Sequence, residues 1–328
     1  MYAKCGVLEK AQQVLNEQPV QDTVSWNALI SGFVQEGKGK EALDCYHRMC
    51  SQGYSADGVT FSSILKACGI LQDAKVGKQI HDEIISQELL KRDNVLCGAL
   101  IDMYAKCGVL SKAQKVFDEV STKDAVSWSA LIAGYAQQGQ GQEAMECFQR
   151  MRNEGFSPDI FTWTALIGGY AQQGLAKKAL DCFQWMQQEG ISPDAVTFVN
   201  VLNACSHSGL VDEGQIFFDN MTEKYGIARN NEHYTCMVDL FGRARLFNKA
   251  MKVIRMMPSS DHPPVWFALL GACRKWGNVK LGRFAFERAV QLDQCDAAIY
   301  VLMSDIYAAA GMHEDTENIA RKQIENAA

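Results

Sequence analysis

The sequence predicts an all-α fold, a right-handed α-solenoid of stacked helix–turn–helix repeats of about 31–36 residues, and three observations carry that prediction. First, the chain repeats itself. MYAKCGVL stands at 1–8 and again at 103–110, and TVSWNALISGF at 23–33 matches AVSWSALIAGY at 125–135 at the same offset of 102 residues. Self-similarity at such a period marks a repeat architecture. Second, Asp22, Asp57, Asp93, Asp124, Asp159 and Asp194 close successive units of 35, 36, 31, 35 and 35 residues. Third, apolar residues inside a unit follow helical spacing. Val and Ile nowhere alternate with polar residues over a useful length, so strands are not expected.

Residues 23–57 show the grammar of one unit. Trp26, Leu29, Ile30 and Phe33 fall at i, i+3, i+4 and i+7, the stripe of an amphipathic helix. The Gly-rich QEGKGK ends it. Ala42, Leu43, Tyr46 and Met49 form a second stripe, closed at Gly53, where a C-terminal cap places glycine. A hairpin of about 35 residues cannot bury its own stripe, so neighbours must stack. In order, the expected units are a partial one at 1–22 (Met1 matches Met103, inside its unit), then 23–57, 58–93, 94–124, 125–159 and 160–194. A 36-residue unit at 195–230 and a shorter one at 231–262 follow. Residues 263–328 hold degenerate units opening at Val265-Trp266 and near Ala298.

Composition narrows the function classes. The 328 residues are 48% hydrophobic with 6 Pro, enough for a continuous core and too apolar for a disordered chain. No stretch approaches the roughly 18 uncharged apolar residues of a membrane span, and no basic n-region with an apolar h-region opens the chain. The twelve Cys read as reduced thiols in a chain too large to need disulfides. A formal charge of −6 argues against sequence-blind binding of polyanions, so nucleic-acid binding would have to be local.

The units resemble pentatricopeptide repeats, specifically the plant organellar PLS subclass in which 35-, 36- and 31-residue motifs alternate. The residues that carry this are VSWNALISGF, VTFSSILKACG, ALIDMYAKCG, VSWSALIAGYAQQG and EHYTCMVDLFGRA. By this resemblance 23–57, 125–159 and 160–194 are P-type, 58–93 and 195–230 L-type, and 1–22, 94–124 and 231–262 S-type. Two P-type units in succession depart from the triplet. PVWFALLGACRKWGNVKLG with YVLMSDIYAAAGM resembles the E-type extension after the last repeat of RNA-editing members, placed here at 263–328.

The resemblance implies binding of single-stranded RNA, one base per repeat, through the fifth and last residues of a unit. In this sequence those pairs are Asn27 with Asp57, Ser129 with Asp159, and Thr164 with Asp194. Asn with Asp is similar to pairs preferring uracil, Ser or Thr with Asp to pairs preferring purine or guanine. Weaker pairs are Ser62 with Asp93 and Thr235 with Asp261. Gly98 with Asp124 and Val199 with Asn230 cannot read a base edge at the fifth place and look like spacers. Val24, Val126 and Phe161 resemble the family's second-place residue that holds a base flat, and Lys4, Lys106 and Arg243 could meet phosphate. Asp before a helix is also an ordinary N-cap, worth about 1 kcal/mol, and capping alone accounts for Asp57, Asp159 and Asp194; the two roles are compatible.

The resemblance further implies a mitochondrial or chloroplast protein, its targeting peptide not in this chain, acting in C-to-U editing or other transcript processing. A deaminase-bearing partner or other editing factor would meet 263–328. No cofactor or metal and no catalytic residue is expected. A zinc deaminase needs H-x-E with a C-x-x-C pair. His81-Asp82-Glu83 satisfies the first by chance, and no C-x-x-C exists. GKGKEA at 37–42 and GQGQEA at 139–144 mimic a dinucleotide fingerprint, yet each follows a helix and reads as an interhelical turn. Trp26, Trp128, Trp163, Tyr135 and Tyr170 sit in apolar stripes and read as core, and Cys68, Cys107, Cys147 and Cys182 as small buried fillers. The rival reading is a tetratricopeptide-like scaffold for protein partners, since such hairpins stack in the same way.

Overall fold

The computed structural model describes residues 8–17, 22–91, 94–120, 123–259, 261–294 and 296–327. Among them are nineteen α-helices, one short 3-10 turn and no strand. After α1 (Leu8–Glu17), the helices come in pairs: α2 (Thr23–Gln35) with α3 (Gly39–Ser51), α4 (Gly58–Leu71) with α5 (Ala74–Ser86), α6 (Asn94–Lys106) with α7 (Leu110–Glu119). The series continues with α8 (Ala125–Gln137) and α9 (Gly141–Asn153), α10 (Ile160–Gln172) and α11 (Ala176–Gln188), α12 (Ala195–Ser208) and α13 (Val211–Glu223). Last come α14 (Asn231–Arg243) and α15 (Phe247–Met256), α16 (Pro263–Trp276) and α17 (Val279–Leu292), and α18 (Ala297–Ala309) and α19 (His313–Ala327). Residues 263–328 therefore hold two further hairpins.

The chain forms two compact units, Met1–Gly169 and Tyr170–Ala328. In the first, the leading helices α2, α4, α6 and α8 pack side by side, each also against its own second helix. Small residues set the spacing of these helices. A methyl group added at Gly134 would lie 2.4 Å from Ala105 Cβ, and one at Gly169 would lie 2.6 Å from Ala136 Cβ and 2.8 Å from Ala136 Cα. Neither position has room for a side chain, which explains the glycine in AGY and GGY. Two second helices are tied by Tyr46 of α3 donating to Glu83 Oε2 of α5 at 2.9 Å, and α5 is tied to the leading helix α6 by His81 Nδ1 at 2.9 Å from Tyr104 Oη. His81 and Glu83 of the H-x-E triplet thus hold adjacent helices together.

Trp26, Trp128 and Trp163 are fully buried, with Phe117 edge-on to Trp128 at 4.5 Å and Phe148 beside Trp163 at 4.7 Å. Their indole Nε1 atoms are buried without a hydrogen-bond partner, a cost the ring burial must outweigh. In the second unit α12, α14, α16 and α18 repeat the arrangement around a core that includes Leu202, Phe241, Trp266, Leu270 and Tyr300. Tyr170, Cys68, Cys147 and Cys182 are buried, whereas Tyr135 and Cys107 are half-buried. Tyr135 reaches out to Gln114 Oε1 at 3.0 Å, so it is a rim residue of the core. The ten cysteines described are all free thiols. No helix among the described residues is long and apolar enough to cross a membrane.

Candidate nucleic-acid interface

The leading helices begin alike. Asp57, Asp124 and Asp194 each take an extended backbone before a helix and form a capping box with Thr60, Ser127 and Thr197, the third residue of the following unit. Asp159 caps α10 in the same way, Oδ1 accepting from Thr162 N at 2.9 Å and from Thr162 Oγ1 at 2.8 Å. Asp22 caps α2 through Ser25 N. Capping is therefore real, and the first unit shows how it joins the proposed reading residues.

Asn27 Nδ2 donates to Asp57 Oδ1 at 2.9 Å, so the fifth and last residues of 23–57 meet directly. Thr60 completes the cluster. Its hydroxyl donates to Asn27 Oδ1 at 2.6 Å and accepts from Asp57 N at 3.1 Å, while Thr60 N donates to Asp57 Oδ1 at 2.9 Å. Asp57 Oδ1 already receives two N–H donors, so the hydroxyl proton is better used on Asn27. The Asp57 carboxyl is pulled in opposite directions. Desolvation raises its pKa, and hydrogen bonds from Thr60 and Asn27 overcome this to hold it below the usual carboxylate value. Asn27 is 7% exposed and its amide orientation is fixed at both ends. One N–H and one oxygen lone pair are left for a ligand.

Ser129 reaches its partner indirectly. Its Oγ lies 2.8 Å from Ala125 O and 2.7 Å from Thr162 Oγ1, and Thr162 in turn meets Asp159. Whichever way the Ser129–Thr162 pair is oriented, the Ser129 proton points to a protein acceptor. Lone pairs remain for a ligand. Thr164 occupies the same place in α10, half-buried. Sequence reasoning missed Thr60 and Thr162; the signal was a hydroxyl residue three places after Asp22, Asp57, Asp124, Asp159 and Asp194, with Leu96 after Asp93 the exception.

The weaker pairs behave differently. Thr235 turns its hydroxyl back to Asn231 O at 2.8 Å. Asp261 is exposed and leaves the cap of α16 to His262, whose side chain makes no capping bond, because Pro263 and Pro264 open that helix without N–H groups to satisfy. The extra residue in DHPPVW thus removes the Asp from the junction. Asn230 caps α14 instead, paired with His233. Ser62 is half-buried, and a methyl group added at Gly98 would meet only Val126 Cγ1, at an ordinary contact distance of 3.6 Å. Asp93 and Lys4 lie outside the described residues.

A row of exposed apolar residues marks the second place of each unit. In the first compact unit Val24 and Phe161 are each 73% exposed, and Val59, Val95 and Val126 stand out likewise. Val196 repeats this in the second, before Glu232 ends the series. Lone exposed valines are unremarkable; one per repeat at a fixed place is a pattern. Lys106 Nζ is held by Asp102 at 2.8 Å and Arg243 Nε by Asp239 at 2.7 Å, each a half-exposed pair one helical turn apart.

These features define a class: a helical repeat protein in which successive hairpins from α2 to α12 present an exposed apolar residue at one fixed place, beside a small polar cluster where the fifth residue is polar. The profile of the PPR repeat family matches residues 21–69, 123–172 and 158–207, and a second PPR repeat profile matches 95–124, 196–225 and 232–262. The chain belongs to the PPR repeat family. It is 35% identical over 327 residues to a pentatricopeptide repeat-containing protein of Arabidopsis thaliana, covering 100% of this chain and 58% of the relative. It is 37% identical over 325 residues to the chloroplastic pentatricopeptide repeat-containing protein CRR2 of Arabidopsis thaliana, covering 98% and 44%. Another relative from that plant, 34% identical over 97% of this chain and 45% of its own length, carries a mitochondrial name. The chain spans about half the length of these relatives. Among solved structures, the pentatricopeptide repeat protein PPR10 in complex with an 18-nucleotide psaJ RNA element aligns with a TM-score of 0.69 at 17% identity, covering 97% of this chain and 48% of that one. The fold is that of the PPR solenoids.

Proposed function

We propose that the chain binds single-stranded RNA sequence-specifically, one base per repeat, as a site-recognition factor for C-to-U editing or other processing of mitochondrial or chloroplast transcripts. The observation that supports this most is the Asn27–Asp57–Thr60 cluster beside exposed Val24 and Val59. A flat base can rest on the apolar side chains while its edge meets Asn27. The free N–H and lone pair of Asn27 complement the acceptor and N–H of uracil, and the lone pairs of Ser129 suit the N–H edge of guanine. Thr164 with Asp194 reads a further purine. Lys106 meets phosphate by exchanging a carboxylate for it, a cheap step because such surface pairs are worth only about 0.3–0.5 kcal/mol, and Arg243 meets it through the N–H groups its Nε bond leaves free.

The PLS arrangement, with 263–328 as an E-type extension, makes this chain the recognition part of a longer assembly. A deaminase-bearing protein or another editing factor supplies catalysis through that extension. The relatives with mitochondrial and chloroplastic names and the RNA-bound PPR10 support this reading. Selection from a randomised single-stranded RNA pool by the purified chain, at a stated moderate salt because such affinities depend steeply on it, is the test. Enrichment of a motif with uracil, then purine and guanine at repeat spacing, is expected. Absence of binding even at low salt would sink the proposal and favour a protein scaffold.

A further inference from the structure

The second compact unit holds a cleft of about 480 Å³ between α14 and α16, lined by Asp239, Arg243, Phe267, Gly271, Arg274 and Lys275 among others. Its volume lies within the roughly 300–1,000 Å³ of small-ligand clefts. Three features distinguish it. Phe267 is the fifth residue of α16, the place where Asn27, Ser129, Thr164 and Thr235 stand in their own helices. It is half-buried, packed partly on the core and partly facing the cleft. Gly271, one turn on, has nothing within 4 Å of where a Cβ would be, unlike Gly134 and Gly169, so it opens space instead of permitting helix contact.

The charge is cationic at the rim. Arg243 donates through Nε to Asp239 Oδ2 at 2.7 Å, and Ser206 Oγ donates to the same oxygen at 2.6 Å, so protein groups meet part of that carboxylate's charge, and Arg243, Arg274 and Lys275 outnumber it in the lining. An arginine carries five N–H donors, and the Nε bond leaves the others of Arg243 for an anion. Arg274 Nη1 is bound to Asp305 at 3.1 Å in the same one-nitrogen manner, and Lys275 lies over the Trp276 ring at 5.0 Å.

We propose that this cleft takes one further nucleotide of the bound RNA, its base stacked on Phe267 over Gly271 and its phosphate held by Arg243 and Lys275. The inference rests on the RNA-binding reading above and extends it past the last repeat that has a polar fifth residue. A phenyl ring has no hydrogen-bonding edge, so the position holds a base without choosing it. The RNA path continues onto α16 as a sequence-tolerant grip.

The test compares a minimal RNA from the selection with versions extended by one nucleotide at either end, all four bases being tried. One extension is expected to tighten binding about tenfold, nearly equally for the four bases, and 2-aminopurine placed there is expected to lose fluorescence on binding. Gly271→Leu projects into the cleft from a position where the added Cβ meets nothing within 4 Å, and a circular-dichroism melt checks that the variant is folded. That variant is expected to bind the minimal RNA as before and to lose the tenfold gain, as is Phe267→Ala, while Phe267→Tyr keeps it. A gain that survives Gly271→Leu, or no gain from either extension while the minimal RNA binds well, overturns the proposal. Binding of a glutamate-rich decapeptide abolished by Gly271→Leu, with RNA binding untouched, also overturns it and assigns the cleft to protein. Failure of the minimal RNA to bind at all would instead refute the RNA-binding reading itself.

Discussion

The Thr60 hydroxyl is the atom on which both the stability of α2–α5 and the recognition chemistry of Asn27 depend, and Thr60→Val isolates it. Valine keeps the volume and the β-branched shape, so packing and helix propensity barely change. The hydrogen-bonding change is specific. Asn27 Oδ1 loses its donor in a nearly dry site, and Asp57 N loses its acceptor at the more exposed start of α4. Leaving one buried acceptor unpaired costs about 1–3 kcal/mol, whereas the Asp57 amide can turn to water. With a urea slope of about 1–3 kcal/mol per molar, the midpoint for the segment around α2–α5 falls by about 1 M. Recognition changes for a separate reason. With only Asp57 Oδ1 as partner, Asn27 keeps its nitrogen toward the carboxylate but is no longer held at its oxygen, so the amide swings about that one bond and aims its free N–H and oxygen less well at the base. A bidentate base contact is worth about 1–3 kcal/mol of discrimination, and the preference at that one nucleotide is expected to drop about tenfold. Fluorescence anisotropy on RNAs differing only at that position reads the second effect, and urea unfolding reads the first. Thr60→Ser, which retains the hydroxyl, is expected to match the parent protein in discrimination while losing about 0.5–1.5 kcal/mol of stability for its buried methyl group. If Thr60→Val kept full discrimination and an unchanged midpoint, the hydrogen-bond network derived for this cluster would be wrong.

Further outcomes follow from other sites. His233 is buried with Nδ1 accepting from Asn230 N at 3.1 Å and Nε2 at 2.9 Å from Ala195 O, so the neutral ring fits and a second proton would remove the Nδ1 acceptor. Burial holds its pKa below the ordinary 6.5, with smaller opposing effects from Ala195 O and Glu232. The folded chain thus binds fewer protons than the unfolded one below about pH 6.5, and stability present above that pH is lost as pH falls through the folded value. Urea midpoints at pH 7.5 and 5.5 should show this loss, and His233→Thr, which restores the residue type of Thr60 and Thr197, should remove most of it. Gly169→Ala forces a methyl onto the Ala136 backbone and is expected to cost about 1–3 kcal/mol, whereas Gly271→Ala meets nothing and should gain about 0.5–1 kcal/mol of helix propensity; equal effects in thermal unfolding would contradict the packing described. Phe161→Ser removes an exposed ring, so stability should stay within about 0.5 kcal/mol while RNA affinity drops by roughly 1–3 kcal/mol whatever base is present. A base-dependent loss would place Phe161 in a different role.

Much of the fold was legible because a repeat solves the same local problem many times. Helical stripes such as Trp26, Leu29, Ile30 and Phe33, the Gly-rich turns and the Asp caps depend on residues within about four positions of one another, and the sequence displays those directly. Stacking followed as well, since a lone hairpin leaves its stripe exposed. The second-place residues Val59, Val95 and Val196 were equally within reach at the repeat offset from Val24, although only Val24, Val126 and Phe161 were singled out. Tertiary structure decided what lies between units. That Thr60 and Thr162, rather than Asp alone, hold the fifth-place side chains depends on atoms 33 residues apart in sequence brought within 3 Å. The same holds for the loss of Asp261 from its junction and for the difference between Gly169, pressed against a neighbouring backbone, and Gly271, facing open space. Periodicity fixes which face of a helix turns inward; the distance to the next helix is set by the summed packing of both units, and no local pattern encodes that sum.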